Sequence, residues 1–136
     1  MGVSANKPTD EAQIRQLIDT WAEAVRVRDL DGVVANHAPD MLLFDVPPPA
    51  LLRGIDAYRK SQEQFLLWLG DSGVFEISEL SITAGDDAAF CHGLIRCAGT
   101  ETRESEGELV VRMTVCYRKI DGQWTVVHEH HSEPAT

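Results

Sequence analysis

In the first half of the chain apolar residues recur every three to four positions, and after residue 73 they run in long β-rich segments, so helices come first and a meander of strands follows. Ile14, Leu17, Ile18, Trp21 and Val25 mark one face of a helix predicted over residues 10–28. Thr9 or Asp10 can cap it, and Gln13 stands in capping-box spacing from Asp10. Asp29-Leu30-Asp31-Gly32 breaks the pattern, and Val33–His37 reads as a short second helix ending before Ala38-Pro39-Asp40. A short strand is expected over Met41–Val46. It stops at Pro47-Pro48-Pro49, which cannot donate to a sheet ladder. Tyr58, Phe65, Leu66, Trp68 and Leu69 supply the apolar positions of a third helix, 57–69, opened by Gly54 and Asp56. Strands are then predicted over 74–83, 88–99, 108–120 and 123–132. Gly85-Asp86-Asp87 and Asp121-Gly122 are candidates for tight turns, and Thr100–Gly107 is expected to be a polar, charged loop.

Helices followed by a β-meander define an α+β fold, with a strongly curved, mixed or antiparallel sheet packed on three N-terminal helices. At 136 residues the chain has room for one domain with a core but not for two, so residues 9–136 are expected to be a single domain behind a disordered tail, 1–8. Hydrophobic residues make up 43% and charged residues 25%, which fits a self-folding globular chain rather than a disordered one. The 12 basic and 22 acidic residues leave a formal charge of −10, which repels phosphate backbones and anionic lipid, so neither nucleic acid nor membrane is an expected partner. No apolar run approaches the roughly 18 residues of a membrane span, and the N-terminus lacks the apolar core of a secretory signal. A cytoplasmic location is expected. Cys91, Cys97 and Cys116 all fall in apolar strand segments, without disulfide or zinc spacing.

The residues with chemical potential are few. Three of the five histidines, His128, His130 and His131, fall within four positions of the last strand. Plain alternation would put His128 and His130 on one face with Trp124, Val126 and Ser132, and Glu129 and His131 on the other with Thr125 and Val127. Imidazoles there can hydrogen-bond a substrate or exchange protons with it. Asp45 is an acid among Met41, Leu42, Leu43, Phe44 and Val46, awkward in a core unless it is paired or lines a cavity. Arg96, between Ile95 and Cys97, needs a counter-charge or water. A metal held by His128, His130 and Asp45 is the weaker reading of the cluster.

The order helix, short helix, strand, helix, four strands resembles the ketosteroid isomerase-like, or SnoaL-like, branch of the cone-shaped nuclear transport factor 2 superfamily. Leu43-Phe44-Asp45-Val46-Pro47 followed by Arg53-Gly54-Ile55-Asp56-Ala57-Tyr58 is similar to the ketosteroid isomerase segment that carries its general base, and the resemblance implies that role for Asp45. That enzyme's oxyanion-binding tyrosine falls on Trp21, and its neutral carboxylic acid near Thr114. Each lost oxyanion donor costs about 10² to 10³ in rate, so steroid isomerisation itself is not expected. Ala88–Arg96 and the last strand also resemble the association domain of calcium/calmodulin-dependent kinase II, whose pocket binds small carboxylates through arginines. There Arg96 matches one arginine, while Thr114 and His131 stand where the others would be.

The candidate catalytic residues are therefore Asp45, His130 and His131. The candidate substrate-binding residues are Trp21, Arg96, Thr114 and His92. The matched families use no metal, and no cofactor is expected. The resemblance implies a small hydrophobic or carboxylate-bearing ligand and a homodimer, formed through the exposed side of the sheet. Two functions compete: a cofactor-independent isomerase, cyclase or dehydratase with Asp45 as base, and a non-catalytic carboxylate-binding or assembly module. Asp45 beside Arg96 or a histidine in a pocket favours the first, and an Asp45 locked in a salt bridge favours the second.

Overall fold

The computed structural model describes residues 8–99 and 108–135, so the expected tail, apart from Pro8, and the Thr100–Gly107 loop lie outside the described residues. Helix α1 spans Asp10–Arg26, α2 Leu30–Val34 and α3 Ile55–Leu69. The strands are β1 His37–Phe44, β2 Leu52–Arg53, β3 Val74–Ala84, β4 Ala88–Ala98, β5 Leu109–Ile120 and β6 Gln123–Ser132. They form one sheet in the order β2-β1-β6-β5-β4-β3, with β1 parallel to β6 and all other pairs antiparallel. The expected α+β architecture forms, with the sheet curled around the helices and left open rather than closed.

Thr9 caps α1 by accepting the Ala12 N–H at 3.1 Å, and Ile14, Ile18 and Val25 are buried on the face turned to the sheet. The second helix begins earlier than the sequence predicts. Asp29, read there as a breaker, is its N-cap and accepts the Gly32 N–H at 3.1 Å. The chain can therefore turn into β1 already at His37, four residues before the predicted strand. Asn36 makes that turn with φ 63°, a left-handed conformation that asparagine tolerates. Asp29→Ala should lower unfolding free energy by about 1 kcal/mol in urea denaturation, the usual loss for a removed cap. No change would mean that α2 is held by packing alone.

In β4 and β5 alternation holds, so Cys91, Ile95, Val111, Met113, Val115 and Tyr117 all point into the core. In β6 it breaks. Cys116 pairs with His128 and Tyr117 with Val126, so Val127 is an extra residue, a β-bulge. The bulge moves everything after it to the other face. Trp124 and Val126 are buried before it, Glu129 and His131 after it, while His128 and His130 turn to the opposite side. The faces expected from plain alternation are corrected accordingly: Glu129 and His131, not His128 and His130, share the core side with Trp124 and Val126. A second irregularity at Ser78–Ser81 of β3, with Glu79 at φ 55°, bends the far edge of the sheet. No helix among the described residues is long and apolar enough to cross a membrane.

Candidate functional site

The bulge in β6 and the early start of β1 bring together side chains that lie far apart in sequence. Asn36 donates from Nδ2 to the Trp124 carbonyl at 2.7 Å and accepts the Val126 N–H at 2.9 Å, which seats the start of β1 beside β6. His37 consequently points inward, with its side chain 2% exposed. Its Nδ1 lies 2.9 Å from the Ala35 carbonyl, its Nε2 lies 2.5 Å from Glu129 Oε2, and its ring stacks on Tyr58 at 4.5 Å. Tyr58 sits in the first turn of α3 and is fully buried. Its hydroxyl donates to Glu129 Oε2 at 2.9 Å and accepts the Trp21 indole N–H at 3.3 Å. On the other side of Glu129, His131 places Nε2 3.4 Å from Oε1 and Nδ1 3.3 Å from Asp45 Oδ1. Asp45, just past the end of β1, also accepts the Val46 N–H at 2.8 Å.

The four ionisable groups His37, Glu129, His131 and Asp45 therefore form a row of alternating sign. Burial alone would neutralise them, pulling the histidines down and pushing the carboxyls up. The opposite neighbours win. Against burial, the hydrogen bond and charge of Glu129 raise the pKa of His37, and Asp45 and Glu129 together raise that of His131. Glu129 is held below the usual carboxylate range by His37, His131 and Tyr58, and Asp45 by His131 and the Val46 N–H. Burial, reinforced by the Glu129 charge, pushes Tyr58 well above 10, so it remains a phenol donor. Burial also lifts the Cys91 and Cys97 thiols to about 11, which leaves them poor nucleophiles.

These shifts set the pH dependence of stability. The histidines, raised in the folded state above the ordinary 6.5, stabilise fully below 6.5, and that contribution is lost as pH rises through their folded values. Glu129 and Asp45, lowered from 4.5 and 3.8, stabilise above those values, and that contribution is lost as pH falls through their folded values. Urea unfolding should accordingly show greatest stability between about pH 4.5 and 6.5 and a decline on the alkaline side. A double His37→Gln, His131→Gln variant should flatten that decline, and an equally steep decline in the variant would assign it to net charge instead.

Two cavities meet this row from opposite sides. The outer cleft, about 600 Å³, is lined by Phe44, Asp45, Val46, His130, His131 and Glu133 among others. The inner one, about 190 Å³, lies among Leu17, Ile18, Trp21, Val115 and Val126, with His37 and Glu129 also in its wall. Asp45 keeps 25% of its side chain exposed and His131 10%, so the cleft meets mainly the carboxylate.

Of the residues singled out from sequence, the structure brings Asp45, His131 and Trp21 into this network. His130 lines the outer cleft but lies on the far face of β6, edge-on to Phe44 at 5.3 Å. His92 and Thr114 pair across β4 and β5, and Thr114 pairs with His130 on β6, so the three form a row on that far face. Arg96 lies on that side too, half-exposed and ion-paired with Glu76 and Glu108, and lines neither cavity. Trp21 spends its N–H on Tyr58. His128 directs Nδ1 to the Leu42 carbonyl at 2.8 Å, so it is His131 that meets Asp45.

Sequence reasoning missed His37, Tyr58 and Glu129 as site residues. Glu129 carried a usable signal, an acid set between His128 and His130 on a strand that opens with Trp124-Thr125-Val126-Val127. His37 and Tyr58 carried none, since their neighbours in space are distant in the chain.

The model of the SnoaL-like domain matches residues 14–136, and the chain belongs to that family. An NTF2-like protein of unknown function from Pseudomonas putida is 38% identical, with a TM-score of 0.84 over 91% of this chain and 86% of that one. A candidate calcium/calmodulin-dependent protein kinase II association domain from Xanthomonas campestris superposes with a TM-score of 0.78 at 21% identity, over 96% of this chain and 91% of that one. A candidate ketosteroid isomerase from Parabacteroides distasonis does so with 0.73 at 17%, over 93% and 89%. The last two show the fold alone. A search of curated proteins finds no match.

Proposed function

We propose that the chain binds a small, uncharged carbonyl compound in the outer cleft and moves a proton next to that carbonyl, with Asp45 as base and protonated His131 as electrophile. The observation that carries this reading is the Asp45–His131 pair at 3.3 Å in the wall of a cavity of about 600 Å³. Among the described residues both of Asp45's hydrogen bonds fall on Oδ1, which leaves Oδ2 to meet a C–H bond. The carboxylate takes the proton, the C–H electron pair moves into the carbonyl as an enolate, and the imidazolium stabilises the negative oxygen. Returning the proton from Asp45 to another carbon completes an isomerisation, and delivering it instead to a β-hydroxyl, which leaves as water as the enolate pair forms the C=C bond, completes a dehydration. Each of these steps uses only side chains of the chain itself and calls for no cofactor.

The carboxylate-binding alternative loses support from the position of Arg96. Among the described residues no arginine lines either cavity, and Asp45 and Glu133 make the outer cleft acidic, which disfavours a carboxylate ligand. Asp45 is in a salt bridge, as the module reading expected, yet its partner is a histidine and a quarter of the side chain remains exposed. That supports a positioned base over a sealed structural pair. The exposed face bearing Phe90, Val110, Thr114 and Cys116 supports self-association as a homodimer.

A panel of neutral ketones and aldehydes, incubated with the protein in D₂O and followed by proton NMR, tests the proposal. At least one should raise the melting temperature and lose its α-hydrogens faster than in buffer. If no compound does either, the proposal is wrong.

A further inference from the structure

Both groups that flank the nitrogens of the His131 ring are carboxylates. Asp45 Oδ1 faces Nδ1 at 3.3 Å and Glu129 Oε1 faces Nε2 at 3.4 Å. An ionised carboxylate has no proton to give, so a neutral imidazole, with one bare lone pair, would have to aim that lone pair at a carboxylate oxygen. A doubly protonated ring presents an N–H to each. From β5 the ring is faced by its cross-strand partner Met113, which carries no charge. Behind Glu129, His37 and Tyr58 both hold its other oxygen, Oε2, at 2.5 and 2.9 Å, while His130 and Glu133 share the outer cleft with the ring.

Glu129 is not among the outer cleft's lining residues and its side chain is only 2% exposed, so it touches nothing bound there. Its Oε1 and the His131 Nε2 are both buried without a regular hydrogen bond, and at 3.4 Å they act on each other by charge more than by direction. We propose that Glu129, oriented by His37 and Tyr58, is the positioning residue of the site: it keeps both nitrogens of His131 protonated, with the Nδ1 proton turned to Asp45. This deepens the reading of Asp45 and His131 as the working pair and restricts it: with both N–H groups turned to carboxylates, the buried imidazolium steadies the enolate oxygen through its charge and not through a donated hydrogen bond.

The inference can be tested without any substrate. In ¹⁵N-labelled protein, long-range ¹H–¹⁵N spectra read both ring nitrogens of His131, assigned with His131→Gln. The wild type should show an imidazolium at pH 7. Glu129→Gln keeps the shape but removes the charge, and should lower the ring's proton affinity about tenfold or more, since an opposite charge at this range shifts a pKa by one to three. His37→Gln removes a like charge from the far side of Glu129 and should raise that affinity. A merely structural role would loosen the site in both variants and move them the same way. The proposal is overturned by a neutral His131 in the wild type at pH 7, by an unchanged affinity in Glu129→Gln, or by a fall in both variants. If Glu129→Gln does not fold, the wild-type spectrum and His37→Gln still decide. A charged His131 in a protein that exchanges no substrate hydrogen would keep this inference and sink the catalytic one.

Discussion

Glu129→Ala should lower the unfolding free energy by about 3–5 kcal/mol at pH 7, the range seen when one partner of a buried ion pair is removed. Glu129 is 2% exposed and receives His37, Tyr58 and the charge of His131, so its loss strands three polar groups where water does not reach. The two histidines can shed their protons, but each would then turn a bare nitrogen to a site without a donor. Glu129→Gln keeps an acceptor for Tyr58 and much of the volume, and should lose clearly less. Urea denaturation of the three proteins measures the difference. A loss under about 1 kcal/mol for the alanine variant would mean that the row is not desolvated and that its charges are screened as on a surface.

Asp45→Asn should do the reverse, removing catalysis and sparing the fold. General-base contributions are about 10² to 10⁴ in rate, so α-hydrogen exchange of a compound turned over by the wild type should fall by that factor. Asp45 lies at the solvent end of the row with 25% of its side chain exposed, so the same change should alter stability by only about 1 kcal/mol or less. Ligand affinity, read from the shift in melting temperature, should change little because an amide occupies the same space. Undiminished exchange in Asp45→Asn would move the base elsewhere, and His130 in the same cleft would be next to test.

The contrast between these two acids mirrors what was legible beforehand. Asp45 stood out because it interrupts an apolar segment beside three prolines, and its place at the mouth of a cleft follows from where β1 must stop. His131 was legible as one of a cluster, but its face was assigned wrongly relative to Trp124 and Val126. The reason is one residue, Val127, whose bulge shifts the alternation by one. The same kind of local event hid His37. Reading Asp29 as a break pushed the second helix three residues late and placed His37 at a helix end instead of at the start of β1. Arg96 shows the opposite case: its strand and its need for a counter-charge were legible, but not its face or the two glutamates that hold it away from both cavities.

By itself the sequence determined the long elements, though not the short strand β2 or where the second helix gives way to β1, because helical and strand periodicity, caps and prolines act over a few residues and leave their mark in composition. It also determined the charge balance and the anomaly of Asp45. Which side chains meet was decided only by the tertiary structure, since His37, Tyr58, Glu129 and His131 come from two strands and a helix and are joined by the parallel pairing of β1 with β6 and by one bulge. Their charge states were decided there too. A histidine's protonation depends on which groups lie within a few ångströms once water is gone, and that depends on contacts between segments distant in the chain.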